Sequence, residues 1–350
     1  MSSASARIIE VGGPVLRAET KDTFRSNEAV KVGRQSLIGE VLRLDGNTIV
    51  VQVFEETAGL KPGDPVVGTG RPLSVRLGPC LLGGIFDGLL RPLTGTDESF
   101  IRPGLEAASG DTVRFEPLVS AGDELSPGQA FARIDRGDRP DLLCMAPPDF
   151  GGNVDRIHDP GEVDETETVC VLRNDGETRD LSCCQVWPVR TPRPAARRLP
   201  ENEPLITGQR IADTLFPVAR GGRAALPGGF GTGKTILQQS IAKWCDADVI
   251  IYVGCGERGN EMAEVLREFP ELEDPRTGRK LSERSVIIAN TSNMPVAARE
   301  ASIYTGVTVA EYFRDMGFDV AMLADSTSRW ADALREISGR LGELPAEAGY

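Results

Sequence analysis

Gly228-Gly-Phe-Gly-Thr-Gly-Lys-Thr235 matches the phosphate-cradling pattern G-x-x-x-x-G-K-[ST] at every fixed position. Glycines at 228, 231 and 233 reach φ angles closed to other residues, so successive backbone N–H groups can converge on phosphate oxygens. The whole loop, Gly228, Gly229, Phe230, Gly231, Thr232, Gly233, Lys234 and Thr235, is therefore expected to hold ATP or ADP. Lys234 would lie along the β- and γ-phosphates, and the Thr235 hydroxyl would bind Mg²⁺. A short apolar stretch, Arg223-Ala-Ala-Leu-Pro227, precedes the loop as an expected strand, and Ile236 to Trp244 follows as a helix. Strand, loop and helix N-terminus together make an anion site.

Outward from the loop the chain alternates strand and helix. Strands are expected at 223–227, 248–253, 285–290 and 319–324, and helices at 234–244, 258–268 and 298–315, the pattern of an open parallel sheet covered by helices. Catalytic groups in such a sheet belong at the carboxyl ends of the strands. Two carboxylates meet that test. Glu257 follows Val249-Ile-Ile-Tyr-Val253 and is placed to orient, or take a proton from, the water that attacks the γ-phosphate. Arg258 beside it could neutralise the transferring phosphoryl group, and Glu261, one helical turn on, could reach a Mg²⁺-bound water. Asp325 ends the apolar run Asp319-Val-Ala-Met-Leu-Ala-Asp325 and would hold Mg²⁺ opposite the lysine, with Arg329 facing the γ-phosphate.

The preceding half reads differently. Bursts such as Arg7-Ile-Ile-Glu-Val11 and Thr48-Ile-Val-Val-Gln-Val-Phe54 alternate apolar and polar residues between turn signals, among them the hairpin dipeptide Asp45-Gly46; this is the cadence of a small closed β-barrel over residues 1–75. Residues 76–103 are expected to begin the nucleotide domain, 104–187 to form a β-rich inserted lobe, and 188–350 to hold the remainder. Closely spaced prolines in Trp187-Pro-Val-Arg-Thr-Pro-Arg-Pro194 suggest an extended connector. His158 is the single histidine and is expected in a solvated loop. Seven cysteines, without a C-x-x-C pair, point to reduced thiols in the cytosol, with Cys183-Cys184 as one strand step. The 350-residue chain has 52 acidic against 39 basic residues, a net charge of −13 that disfavours nucleic acid as a partner. The N-terminus has no secretory pattern, and the apolar stretch 81–93 is too short and too charged to span a bilayer.

Four runs give the reading a family. Pro204-Leu-Ile-Thr-Gly-Gln-Arg210, Gly254-Cys-Gly-Glu-Arg-Gly-Asn-Glu-Met262, residues 289–306 and Ala324-Asp-Ser-Thr-Ser-Arg-Trp330 resemble the catalytic A subunit of the vacuolar/archaeal-type rotary ATPases. The resemblance implies a multidomain α/β chain with an N-terminal β-barrel, an inserted β-rich lobe and a RecA-like nucleotide domain. It implies ATP and Mg²⁺ at Lys234 and Thr235, Glu257 as the water-activating carboxylate, Arg258 and Arg329 on phosphate and Asp325 at the metal. Its implied partners are a non-catalytic B subunit in an alternating hexamer, a central rotor stalk and a membrane sector moving H⁺ or Na⁺, with the chain cytoplasmic and peripheral to the membrane. Gly229 stands where relatives commonly carry Pro or Ala, and Thr232 where eukaryotic members have cysteine. Family members continue well past Tyr350, so the parallel sheet is expected to be incomplete and the chain inactive alone. The competing readings are a non-turning assembly or regulatory subunit, and a hexameric export ATPase or nucleic-acid translocase.

Overall fold

Period-two alternation along the first 72 residues rolls the chain into a closed barrel. Its strands are β1 (Ser5–Gly12), β2 (Val15–Thr20), β3 (Glu28–Val32), β4 (Leu37–Asp45), β5 (Thr48–Val53) and β6 (Pro65–Pro72), in the order β1-β2-β5-β4-β3-β6. Closure of β6 onto β1 leaves no edge to pair with another chain. Ile8, Leu16, Val30, Val41, Val51 and Val66 fill the interior. The expected hairpin joins β4 to β5, with Asp45 opposite Thr48 and Gly46 at φ +61°. The computed structural model describes residues 4–93, 104, 110–229 and 231–343.

Beyond the barrel, β7 (Ser74–Leu77) and β8 (Ile85–Phe86) precede a lobe made of β9 (Thr112–Pro117), β10 (Glu124–Leu125), β11 (Ala130–Asp135), β12 (Leu142–Met145), β13 (Gly152–Ile157), β14 (Gly161–Asp164), β15 (Cys170–Asn174) and β16 (Glu177–Leu181). These form two four-stranded sheets, β10-β13-β15-β16 and β12-β11-β9-β14, with Phe115, Leu125, Phe131, Leu142, Val154 and Leu172 in the core. β17 (Gln185–Pro188) pairs with β7 as a neck. Trp187-Pro188 thus closes a strand, where the proline spacing predicted only connector; a two-stranded ribbon tolerates a terminal proline that a central strand would not. Cys183-Cys184 is not a strand step either. It lies in the irregular turn between β16 and β17, with Cys183 buried and Cys184 half-buried. His158 is exposed just after β13.

The remaining elements are β18 (Pro204–Leu205), α1 (Arg210–Leu215), β19 (Val218–Ala219), α2 (Lys234–Trp244), β20 (Val249–Glu257), α3 (Gly259–Glu268), β21 (Ser285–Thr291), α4 (Val296–Asp315), β22 (Val320–Asp325) and α5 (Thr327–Leu341). β22, β20, β21 and β8 make the parallel sheet, in that order. The first eight residues of β20 are all buried, as expected of a strand covered on both faces. β8 joins from before the lobe, through Ile85 opposite Ile287, so the lobe interrupts a domain begun upstream. The expected strand at 223–227 does not form. Among the described residues β22 pairs only with β20, and residues 223–227 have no ladder partner and are largely exposed. An isolated extended segment gains no ladder hydrogen bonds, so apolar sequence alone does not make it a strand.

One guanidinium ties barrel to nucleotide domain. Arg190, just past the neck, binds Glu40 of β4 at 2.9 Å and Glu300 of α4 at 2.7 Å, and lies 4.9 Å over the Tyr304 ring. Glu40 is 0% exposed and Glu300 4%. Removing the shared cation from two buried carboxylates costs about 3–5 kcal/mol in comparable pairs. Arg190→Ala is therefore expected to lose stability of about that size in urea unfolding followed by circular dichroism; a loss under about 1 kcal/mol would show that the bridge is dispensable.

Candidate active site at the phosphate loop

Backbone conformation along the loop follows its glycines. Gly231 and Gly233 sit at φ +76° and +82°, and Gly233 is the left-handed residue from which α2 starts. A side chain at Gly228 would also press on the Thr232 hydroxyl, 2.6 Å from its Cβ position. Phe230 lies outside the described residues. Thr232 Oγ1 donates to the Gly229 carbonyl at 2.8 Å, and the Lys234 ammonium donates to the carbonyls of Gly228 and Gly229 at 2.7 and 2.6 Å. The lysine thus lies along its own loop, on the side where those carbonyls converge.

At the first turn of α2 the Thr235 hydroxyl donates to Asp325 Oδ2 at 2.6 Å, joining the loop to the end of β22. Asp325 is 2% exposed and also accepts from the Tyr252 hydroxyl at 3.3 Å. Register explains the second contact. Gly254 of β20 lies opposite Asp325, and Tyr252, two residues back on the same face, reaches forward to it, while Met262 fills the space that the glycine leaves. Burial, and then the Asp325 charge, push the Tyr252 phenol well above its ordinary value, so it stays a donor. Sequence reasoning passed over Tyr252. Its signal was a tyrosine in an otherwise aliphatic buried strand, two places before a glycine.

Three residues past Gly254, β20 ends at Glu257, at the same carboxyl edge as Asp325. Glu257 is pushed up to about 7: first by burial, then by its hydrogen bond with Glu261 and the charge of Asp325, with Arg329 opposing. Arg329 Nε on α5 stands 3.5 Å from Glu257 Oε1. Glu261 is in the first turn of α3, and Arg258 caps that helix with an exposed side chain. Thr235 thus contacts Asp325, Glu257 contacts Glu261 and Arg329, the Asp325 charge acts on Glu257 across the same strand edge, and Lys234 adjoins Thr235. Arg299 was not anticipated. Its Cδ and Nε lie 2.9 and 3.0 Å from where a Cβ on Gly256 would stand, and its Nη2 donates to the Ser292 carbonyl at 3.1 Å.

Among the described residues no cluster of three His, Cys, Asp or Glu side chains has the arrangement of a self-sufficient metal cage. A hydroxyl and one carboxylate in contact suit a hard divalent cation that takes its remaining ligands from water and phosphate, as Mg²⁺ usually does. No helix among the described residues is long and apolar enough to cross a membrane.

Three family models match the chain in sequence order. They are the ATP synthase alpha/beta family beta-barrel domain over residues 8–70, the ATP synthase alpha/beta subunit barrel-sandwich domain over 109–190, and the ATP synthase alpha/beta family nucleotide-binding domain over 208–350. The V-type ATP synthase alpha chain 2 of Clostridium tetani is 51% identical over 356 aligned residues, taking in 100% of this chain and 60% of that protein. The corresponding A subunit of the A-type ATP synthase of Methanopyrus kandleri matches to the same extent, at 51%. The V-type ATP synthase alpha chain of Halothermothrix orenii is 52% identical over 98% of this chain and 59% of its own. This chain therefore spans about 60% of the length of these relatives. Among solved structures, the assembled ATPase EscN of the enteropathogenic E. coli type III secretion system superposes with a TM-score of 0.64 at 23% identity, over 99% of this chain and 62% of that one, a likeness of fold. Barrel, sandwich lobe and nucleotide-binding domain all carry the same signature, and the chain belongs to the ATP synthase alpha/beta family.

Proposed function

We propose that the chain is the catalytic, ATP-binding part of an A-type or V-type rotary ATPase or ATP synthase, with domains at 1–75, 76–103 joined to 188–350, and the lobe at 104–187. The observation that carries this reading is the 2.6 Å contact of Thr235 with buried Asp325, beside a carboxylate held near neutrality at Glu257. Loop amides and Lys234 would grip the triphosphate. Thr235, with Asp325 behind it and Glu261 through water, would hold Mg²⁺. When bound, that ion neutralises charge on the β- and γ-phosphate oxygens.

Glu257 would align the attacking water and accept its proton. Its pKa near 7 suits a base that must both take and release a proton around neutral pH. Arg329, already beside Glu257, holds that carboxylate in place and offers a positive charge toward the phosphoryl group. Arg258, exposed at the start of α3, would take the same role. The expected partners are a non-catalytic B subunit that alternates with this one in a hexamer and lends an arginine finger, a rotor stalk, and a membrane sector that moves H⁺ or Na⁺. The relatives' names favour this machine over an export ATPase, and the barrel-sandwich match covers the lobe that the export reading does not require.

Lys234→Ala is expected to weaken binding of a fluorescent ATP analogue by the isolated chain, whereas Glu257→Gln binds it normally. In an assembly that turns over ATP, Glu257→Gln should slow hydrolysis by about 10² to 10⁴, the range for losing a positioned acid–base group. An unchanged rate removes Glu257 from this role.

The pH profile tests the same residue independently. Below about 7 Glu257 is protonated and cannot accept a proton, so hydrolysis should rise as pH climbs through about 7 and then level. That acid limb should vanish in Glu257→Gln; a parent profile flat through neutrality would contradict the assignment.

A further inference from the structure

At the amino end of the parallel sheet, away from the phosphate loop, a cavity of about 350 Å³ opens between the nucleotide domain and the β11–β12 loop of the lobe. Asp248 and Val249 at the start of β20 and Phe318 just before β22 fix its position. The volume falls at the lower end of the range for small-ligand sites, about 300–1,000 Å³.

Its wall carries six cations, Arg136, Arg139, Arg276, Arg279, Lys280 and Arg284, against three acids, Asp248, Asp274 and Glu283. With Glu271 and Asp138, which pair with two of these cations from just outside the wall, the site still has one more cation than acid, in a chain of net charge −13. Four of the cations are already employed. Arg284 holds Asp274 at 2.9 Å and the Ala247 carbonyl at 2.8 Å, and Arg276 donates to the carbonyls of Asp246 and Ala247 at 3.0 and 2.9 Å. Lys280 pairs with Glu271, and Arg279 with Asp138.

The two lobe arginines are less engaged. Arg139 reaches Glu283 at 3.4 Å, and Arg136 has one long hydrogen bond, to the Glu283 carbonyl at 3.4 Å. Among the described residues Arg136 has no carboxylate within ion-pair distance, although it is half-buried. Burial, then the neighbouring Arg139 charge, lower Arg136 from the ordinary arginine range, with Glu283 opposing, and an added anion would offset the repulsion between the two arginines. Leu82, Pro140 and Phe318 supply apolar surface in the same wall.

From this geometry we infer that the cavity is a second ligand site, for a small organic phosphate whose anion pairs with Arg136 and Arg139 and whose apolar body lies on Leu82, Pro140 and Phe318. Guanidinium forks match phosphate oxygens in pairs, which a single ammonium does not. Because the arginines belong to the lobe and most of the wall to the nucleotide domain, an occupant bridges the two. The inference does not rest on turnover at the phosphate loop.

The probe is phenyl phosphate, titrated calorimetrically into the 350-residue chain carrying Lys234→Ala, so that the phosphate loop contributes little. One saturable site is expected. Arg136→Gln and Arg139→Gln should each weaken it about tenfold or more, the factor for losing a charge-assisted hydrogen bond, and exposed Arg133→Gln should leave it unchanged. Melting temperatures establish that each variant is folded. Should Arg136→Gln not fold, Arg136→Lys, which keeps the charge and loses the fork, is expected to weaken binding by a smaller factor. Absence of saturable binding, or binding by the Arg136 and Arg139 variants as tight as that of the Lys234→Ala parent, overturns the site. Inorganic phosphate binding as tightly as phenyl phosphate overturns the organic half of the inference.

Discussion

Position of the phosphate loop depends on how α2 is pinned at its two ends. Residues 223–227 do not enter the sheet, so no ladder fixes the approach to the loop. At the start of α2 the fixing bond is Thr235 to Asp325, a short hydrogen bond to a carboxylate with almost no access to water. At the far end Arg284 donates to the carbonyls of Ala242 and Lys243 and to Ala247, satisfying acceptors that a helix terminus leaves open. At this end Ala242 and Cys245 also sit in the core shared by α3 and β20. A helix fixed at both ends presents its N-terminal amides in a defined direction, which an anion site needs.

The acids at the carboxyl edge explain one another. Asp325, Glu257 and Glu261 crowd one small region, and like charges there cannot all be present without a cation among them. Two devices relieve the crowding. Tyr252 donates to Asp325 from beneath, and Arg329 stands against Glu257 from α5. The remaining repulsion, added to burial, is what leaves Glu257 near neutrality. A bound cation or phosphate would alter this balance more than any local change in packing.

Much of this was legible in the sequence, because the signals were local. The loop motif, the hairpin at Asp45-Gly46, the barrel alternation and the six α/β elements from α2 to β22 each rest on short-range pattern. What escaped notice depended on distant partners. The segment 223–227 looks like a strand by composition, but a strand is a property of two segments, and none pairs with it here. Tyr252 and Arg299 became site residues only through register and helix packing. The Arg190 bridge joins positions 150 and 110 residues apart, a separation that no motif encodes.

Insertion of a whole lobe into the nucleotide domain leaves the sheet intact because both crossings are made at one ribbon. β7 enters and β17 returns in register, Leu77 opposite Gln185 and Ser74 opposite Pro188, so the lobe's ends meet where they leave. A two-stranded neck resists pulling along its length but bends easily, since no third strand stiffens it. The lobe's orientation must then be set elsewhere. Arg139 on Glu283 and Arg279 on Asp138 supply that second attachment, far from the neck in sequence. Both are surface ion pairs made by the β11–β12 loop itself, each worth roughly 0–1 kcal/mol. The strut is therefore weak beside the buried Arg190 bridge, and the lobe's angle to the domain rests mainly on the apolar core that Phe131 and Cys144 of the lobe share with Val309 and Tyr312 of α4.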